Sequence, residues 1–127
     1  MRLSRAMDTF RFRKFEVYKD AKKFRRFVQE LIKKFPASEK FGLVDQINRA
    51  CRSILLNIAE GSAKKSDKDF ARYLEMSIAS VSEVVAGFDL AHDDQIITSE
   101  DFERVEMDAG NIAKQLGGFI KSLKIKS

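Results

Sequence analysis

Two sets of side chains in this sequence have the types and spacing to do chemistry. The first is a row at three- and four-residue steps: Gln46, Arg49, Ser53, Asn57 and Glu60. That spacing puts them on one face of a helix. A solvated face needs no such mixture of amide, guanidinium, hydroxyl and carboxylate. Facing another helix, these groups would form a hydrogen-bonded network, because a buried polar group left unpaired costs about 1–3 kcal/mol. The second set is Arg11, Arg13, Lys14, Lys22, Lys23, Arg25 and Arg26. Cations at this density can neutralise nucleic-acid phosphates without reading bases. Packing against acidic residues of neighbouring helices or subunits is the competing explanation. Phe10 and Phe12 are interleaved with the first cations, and they either stack on bases or pack into a core or interface.

Catalysis has no comparable support, and no catalytic residue is assigned. The chain has one histidine, His92, and one cysteine, Cys51, far apart on different helices. They make neither a nucleophile–base pair nor a zinc set, and no metal or cofactor is expected. Cys51 falls on an apolar helix face, where it reads as a small buried hydrophobe. Glu60 and Glu83 sit among basic and hydroxyl neighbours that would stabilise a carboxylate rather than tune it. A single cysteine allows no internal disulfide and fits a reducing cytoplasm. No apolar run reaches the roughly 18 residues of a membrane span, and the first 14 residues lack the apolar core of a secretory signal.

Charge divides the 127-residue chain in two. Residues 1–72 hold 19 Lys and Arg against 9 Asp and Glu, a net +10, whereas residues 73–127 hold 5 against 10, a net −5. The basic half suits a polyanion, and the asymmetry equally suits complementary packing between helices or subunits.

These groups must be positioned by helices. Eleven Phe, no Trp, one Pro and six Gly among many Ala, Leu, Ile, Lys and Glu indicate an all-α protein. Residues 1–14 read as a basic N-terminal arm and 15–127 as the helical domain. Val17, Ala21, Phe24, Val28, Leu31 and Phe35 step by four and three, a bundle seam that Pro36 ends. Ile47, Ala50, Cys51, Ile54 and Ile58 line the second helix, with Gly61 expected as its left-handed C-cap. Phe70, Leu74, Ser77, Val81, Val84, Phe88 and Ala91 line the third, capped by Ser66. Gly87 inside it suggests tight packing. Phe102, Val105, Ala109, Ile112, Leu116, Phe119 and Leu123 line the fourth, capped by Thr98 or Ser99. Helices over about 15–35, 43–60, 67–93 and 99–124 with short links predict an antiparallel up-down-up-down four-helix bundle. A hairpin turning near Lys64 would pair Asn57 with Arg72, Gln46 with Glu83 and Arg49 with Ser80, extending the polar network to the third helix.

The assembled residues resemble the 23S rRNA intervening-sequence protein family, whose members are often labelled simply four-helix bundle protein. The resemblance starts at Phe15, Tyr18 and Ala21. It continues through Phe35-Pro36, Glu39, Gly42-Leu43, Gln46 and Arg49-Ala50, and is most specific at Ser53-Ile54 and Asn57-Ile58-Ala59-Glu60-Gly61. Phe70, Arg72-Tyr73-Leu74, Ser80 and Glu83 follow the same pattern. Ser77 and Ala79 depart from it, where the family commonly has Ala and Gly. Both are small and leave the fold intact.

The resemblance implies a bacterial antiparallel bundle that assembles into ring-like homopentamers without enzymatic activity. A similar fold occurs in the basic, nucleic-acid-binding accessory protein of diversity-generating retroelements. The reading that follows is a cytoplasmic homo-oligomer that binds RNA or DNA backbone through a basic surface. Its alternative is a protein-interaction scaffold with no nucleic-acid partner.

Overall fold

The computed structural model describes residues 9–125. A short 3-10 turn, Arg11–Lys14, leads into four helices: α1 (Glu16–Ile32), α2 (Leu43–Ser62), α3 (Asp67–Asp93) and α4 (Ser99–Ser122). A second 3-10 turn, Ala37–Glu39, lies between α1 and α2. The described residues contain no strand. Residues 1–8 of the expected basic arm lie outside the described set.

Each seam is buried where its periodicity puts it. Val28, Ile58, Leu74, Val84, Phe88, Val105 and Leu116 are fully enclosed in one four-helix core. Phe15, Phe70 and Phe119 meet at one end of the bundle, with centroids 4.9–6.2 Å apart. Phe35 and Phe88 meet at the other, 6.0 Å apart. Helix starts follow cap chemistry. Ser66 accepts from Asp69 N and Thr98 from Asp101 N, with acidic first turns on both helices. The α geometry of α1 stops at Ile32 rather than reaching Phe35, because Lys33–Phe35 turn toward Pro36.

Side-chain contacts give direction to two neighbouring pairs. Asp20 with Gln115 and Phe27 with Arg104 set α1 antiparallel to α4. Ile54 with Ser77 and Ser53 with Ser80 set α2 antiparallel to α3. Around the bundle each helix touches its two neighbours, and the α2–α3 contact is the most extensive.

Small residues explain that contact. A Cβ on Gly87 would lie 2.6 Å from Ile47 Cγ1, and one on Gly61 would lie 2.7 Å from Tyr73 Cβ and 2.9 Å from the Phe70 ring. Gly61 is therefore not the left-handed cap its position suggests. α2 runs on through Ser62, no described glycine has positive φ, and Ala63 closes the helix in right-handed geometry. Close approach, not backbone conformation, excludes a side chain there. The one positive φ among described non-glycine residues is at Gln95, φ 60°, in the turn between α3 and α4. The α1–α2 contact is much less extensive, and that side of the bundle opens into a groove.

Candidate nucleic-acid interface

The expected polar network forms only in part. The Asn57 amide donates to the Ser53 carbonyl at 2.9 Å and to Ser53 Oγ at 3.0 Å. The Ser53 and Ser80 hydroxyls bond each other at 2.8 Å, and Ser77 donates to the Ile54 carbonyl at 2.8 Å. Of the anticipated pairings Asn57–Arg72, Gln46–Glu83 and Arg49–Ser80, the members Asn57, Arg72, Arg49 and Ser80 take other partners. Ser80 meets α2 one helical turn further along, at Ser53. Arg49 instead pairs with Asp45 and Arg72 with Asp69, each within its own helix. Gln46, Glu60 and Glu83 are exposed. The short hydroxyl and amide groups lie at the α2–α3 seam, and the long charged ones lie at its solvent edge. This is structural polarity, with every described buried side-chain N and O satisfied.

The basic residues divide into groups with different surroundings. The Arg11 guanidinium donates to the Ser62 carbonyl from Nε at 3.2 Å and Nη2 at 3.1 Å, and lies over the rings of Phe15 and Phe70. It caps the C-terminus of α2, where exposed carbonyls attract a cation. Arg13 lies 5.4 Å from the Phe10 ring and 5.9 Å from the Phe12 ring. Lys14 ends the 3-10 turn on the exposed surface. Lys23 faces the opposite side of α1, in a recess of about 250 Å³ shared with Asp20, Arg104 and Asp108. That recess mixes both signs of charge.

Lys22, Arg25 and Arg26 converge with Arg52 of α2 on the α1–α2 groove, which encloses about 530 Å³. Tyr18, Gln29, Leu55 and Leu56 complete its lining, and none of these lining residues is acidic. Leu56 is 65% exposed. Lys22 Nζ stands 5.7 Å from the Tyr18 ring centroid, and Phe12 packs edge-on against Tyr18 at 4.9 Å. Position on α1 sets this grouping. Tyr18, Lys22, Arg25, Arg26 and Gln29 recur at three- and four-residue steps, so one face presents all of them. Arg52, absent from the set singled out in the sequence, joins from α2. Its detectable signal was its spacing from Leu55 and Leu56, which puts the three on one side of α2, away from the buried Ile54 and Ile58.

The two residues best suited to nucleophilic chemistry have other surroundings. Cys51 is buried in the core, and burial pushes its thiol up to about 12 against the opposing charge of nearby Arg25. A thiol held neutral is no nucleophile. His92 Nε2 lies 3.0 Å from Ser99 Oγ, and its ring stacks on Phe102. The pair sits at the α3–α4 turn, and no further hydrogen-bonded group orients the ring among the described contacts. A hydroxyl–imidazole pair needs such a group and a cleft to act on a substrate. Among the described residues there is no cluster of potential metal ligands and no helix long and apolar enough to cross a membrane.

Comparison with known proteins agrees with this architecture. The chain is similar to a crystal structure of a protein of unknown function from the S23 ribosomal protein family of Bacteroides thetaiotaomicron, with 27% identity and a TM-score of 0.74. The similarity covers 84% of this chain and 99% of that one. No curated protein matches the chain. The family model for the 23S rRNA-intervening sequence protein matches residues 13–118, from the 3-10 turn to the last turns of α4, and the chain belongs to that family.

Proposed function

We propose that this chain is a non-enzymatic homo-oligomer that binds nucleic-acid backbone through the α1–α2 groove. The observation that carries the reading is the convergence of Lys22, Arg25, Arg26 and Arg52 on one recess whose lining residues include no carboxylate. Phosphate binding requires positive charge that internal ion pairs have not already neutralised. The α1–α4 recess fails that requirement, since Asp20 and Asp108 share it with Lys23 and Arg104. Arg11 fails it differently, being committed to the Ser62 carbonyl. Of the cations anticipated from the sequence, Lys22, Arg25 and Arg26 lie in the groove, joined by Arg52, with Arg13 and Lys14 on the adjoining 3-10 turn.

The ring-like pentamer implied by the family resemblance would repeat this groove on each protomer and raise avidity through effective concentration. The test is a titration of the intact protein against RNA and DNA oligonucleotides at about 50 and about 150 mM salt. Binding that weakens steeply with salt, and that is lost on combining Lys22→Glu, Arg25→Glu, Arg26→Glu and Arg52→Glu with helicity intact, supports the reading. Undetectable binding at both salt concentrations would leave the scaffold alternative.

A further inference from the structure

We infer that the α1–α2 groove is a seat for single-stranded nucleic acid, taking an unpaired base against Tyr18 and the leucines while the four cations hold the flanking phosphates. This deepens the backbone-binding reading and rests on it.

The lining is what separates a single strand from a duplex. Contact with duplex backbone needs cations at the surface and makes no use of a recessed apolar floor, because the bases are paired and stacked inside the helix. Here the recess between the cations is lined by the half-buried Tyr18 and Leu55, with Leu56 exposed beside them. Its volume of about 530 Å³ is in the range of small-molecule sites. A single strand exposes base faces that gain by burial on aromatic and apolar side chains, with little dependence on sequence. Gln29, on the same lining, offers both a donor and an acceptor to a base edge.

The aromatic surroundings extend the seat beyond one nucleotide. Phe12 packs on Tyr18, Arg13 lies over Phe12 and Phe10, and Phe10 is about half exposed. Rings and cations thus alternate from the groove along the 3-10 turn, the arrangement by which stacking platforms and phosphate contacts follow one strand. Lys22 occupies the neighbourhood of the Tyr18 ring in the free protein. Its flexible stem lets it swing from ring to phosphate when a base enters. No other described groove combines these features. The α1–α4 recess carries two aspartates, and the groove between α3 and α4, lined by Val81, Val85 and Ala109, carries Glu106 and no cation.

The test compares a 12-nucleotide single strand of uridine or thymidine with a mixed-sequence 12-base-pair duplex, by fluorescence anisotropy on the intact protein. The expected result is single-strand affinity at least about ten-fold above duplex affinity. Tyr18→Leu, which keeps apolar bulk against Phe12, lowers single-strand affinity about ten-fold and leaves duplex affinity and salt slope within two-fold. Tyr18→Phe retains the ring and the affinity. Thermal melting of each variant checks that the fold is kept. Equal affinity for both nucleic acids, or a Tyr18→Leu loss shared equally by both, overturns the single-strand inference and leaves the basic-groove reading standing. Absence of salt-dependent binding to either one overturns both. So does a reversal of the four groove cations that changes particle mass, because the groove is then a seat for another protomer.

Discussion

Gly61 and Gly87 act at the two ends of the α2–α3 contact, and each is fixed by what its missing Cβ would strike. Tyr73 Cβ and the Phe70 ring stand inside 3 Å of the site at Gly61, and Phe70 is itself enclosed in the core. Gly61→Ala should therefore cost about 1–3 kcal/mol in denaturant unfolding, the range for overpacking a tight core. Gly110 is the internal control. Nothing lies within 4 Å of its Cβ position, so Gly110→Ala should be neutral or stabilise by up to about 1 kcal/mol through helix propensity. Equal effects at both sites would refute the close-approach explanation. Cys51 makes a second residue-level expectation, on pH. Its thiol is raised from the ordinary 9.0 to about 12 in the folded chain. Above pH 9 the unfolded chain releases a proton that the folded chain keeps, so stability attributable to Cys51 is full below 9 and falls as pH rises toward 12. The slope approaches about 1.4 kcal/mol per pH unit in that window. Cys51→Ala should be less stable at neutral pH yet show a flatter decline between pH 9 and 11, which paired urea titrations would reveal.

The helices were legible in the sequence because heptad spacing survives any arrangement of neighbours. Phe24, Ile54, Leu74 and Leu116 declare their buried face whichever helix covers it. The site was not legible in the same way. Whether a cation is available depends on what lies beside it, and that is decided by which helices become neighbours and in what register. Arg11 and Arg25 are indistinguishable in a charge count. Yet Arg11 is held by the Ser62 carbonyl and two aromatic rings, whereas Arg25 faces the groove. The cross-helix partners of the polar row were hidden for the same reason. Its serines and asparagine lie at the seam, and Ser80 meets Ser53 there rather than Arg49. This division can be measured. Arg11→Ala removes a charge-assisted cap that ties the 3-10 turn to the end of α2, and should lower stability by about 1 kcal/mol. Nucleic-acid affinity should stay within two-fold. The combined Arg25→Glu and Arg52→Glu variant should do the reverse, with melting temperature nearly unchanged and binding strongly reduced. Arg11→Ala weakening binding as much as the groove pair would show that Arg11 is itself a phosphate contact rather than a cap.

At the scale of the whole molecule, several large apolar side chains reach the surface. Phe41 is 88% exposed, Met107 70% and Leu90 54%, on three different parts of the bundle. Scattered singly, such residues are ordinary on a folded surface, and the proposed homo-oligomer rests instead on the ring assembly that the family resemblance implies. Static light scattering at micromolar concentration should accordingly give several times the 14.5 kDa chain mass. Oligomerisation and nucleic-acid binding then become separable through strand length. A 12-nucleotide strand engages one groove, and three or four phosphate contacts predict a log–log salt slope of about −2 to −3 at about 0.7 per contact. A strand several times longer can cross several grooves of one assembly, so its slope should steepen and its affinity rise beyond the change in length. Diluting the protein until light scattering reports monomer should abolish that gain and leave short-strand affinity untouched. A long strand that binds no better than a short one, to a particle of demonstrated oligomeric mass, would show that the grooves of neighbouring protomers do not lie along one path.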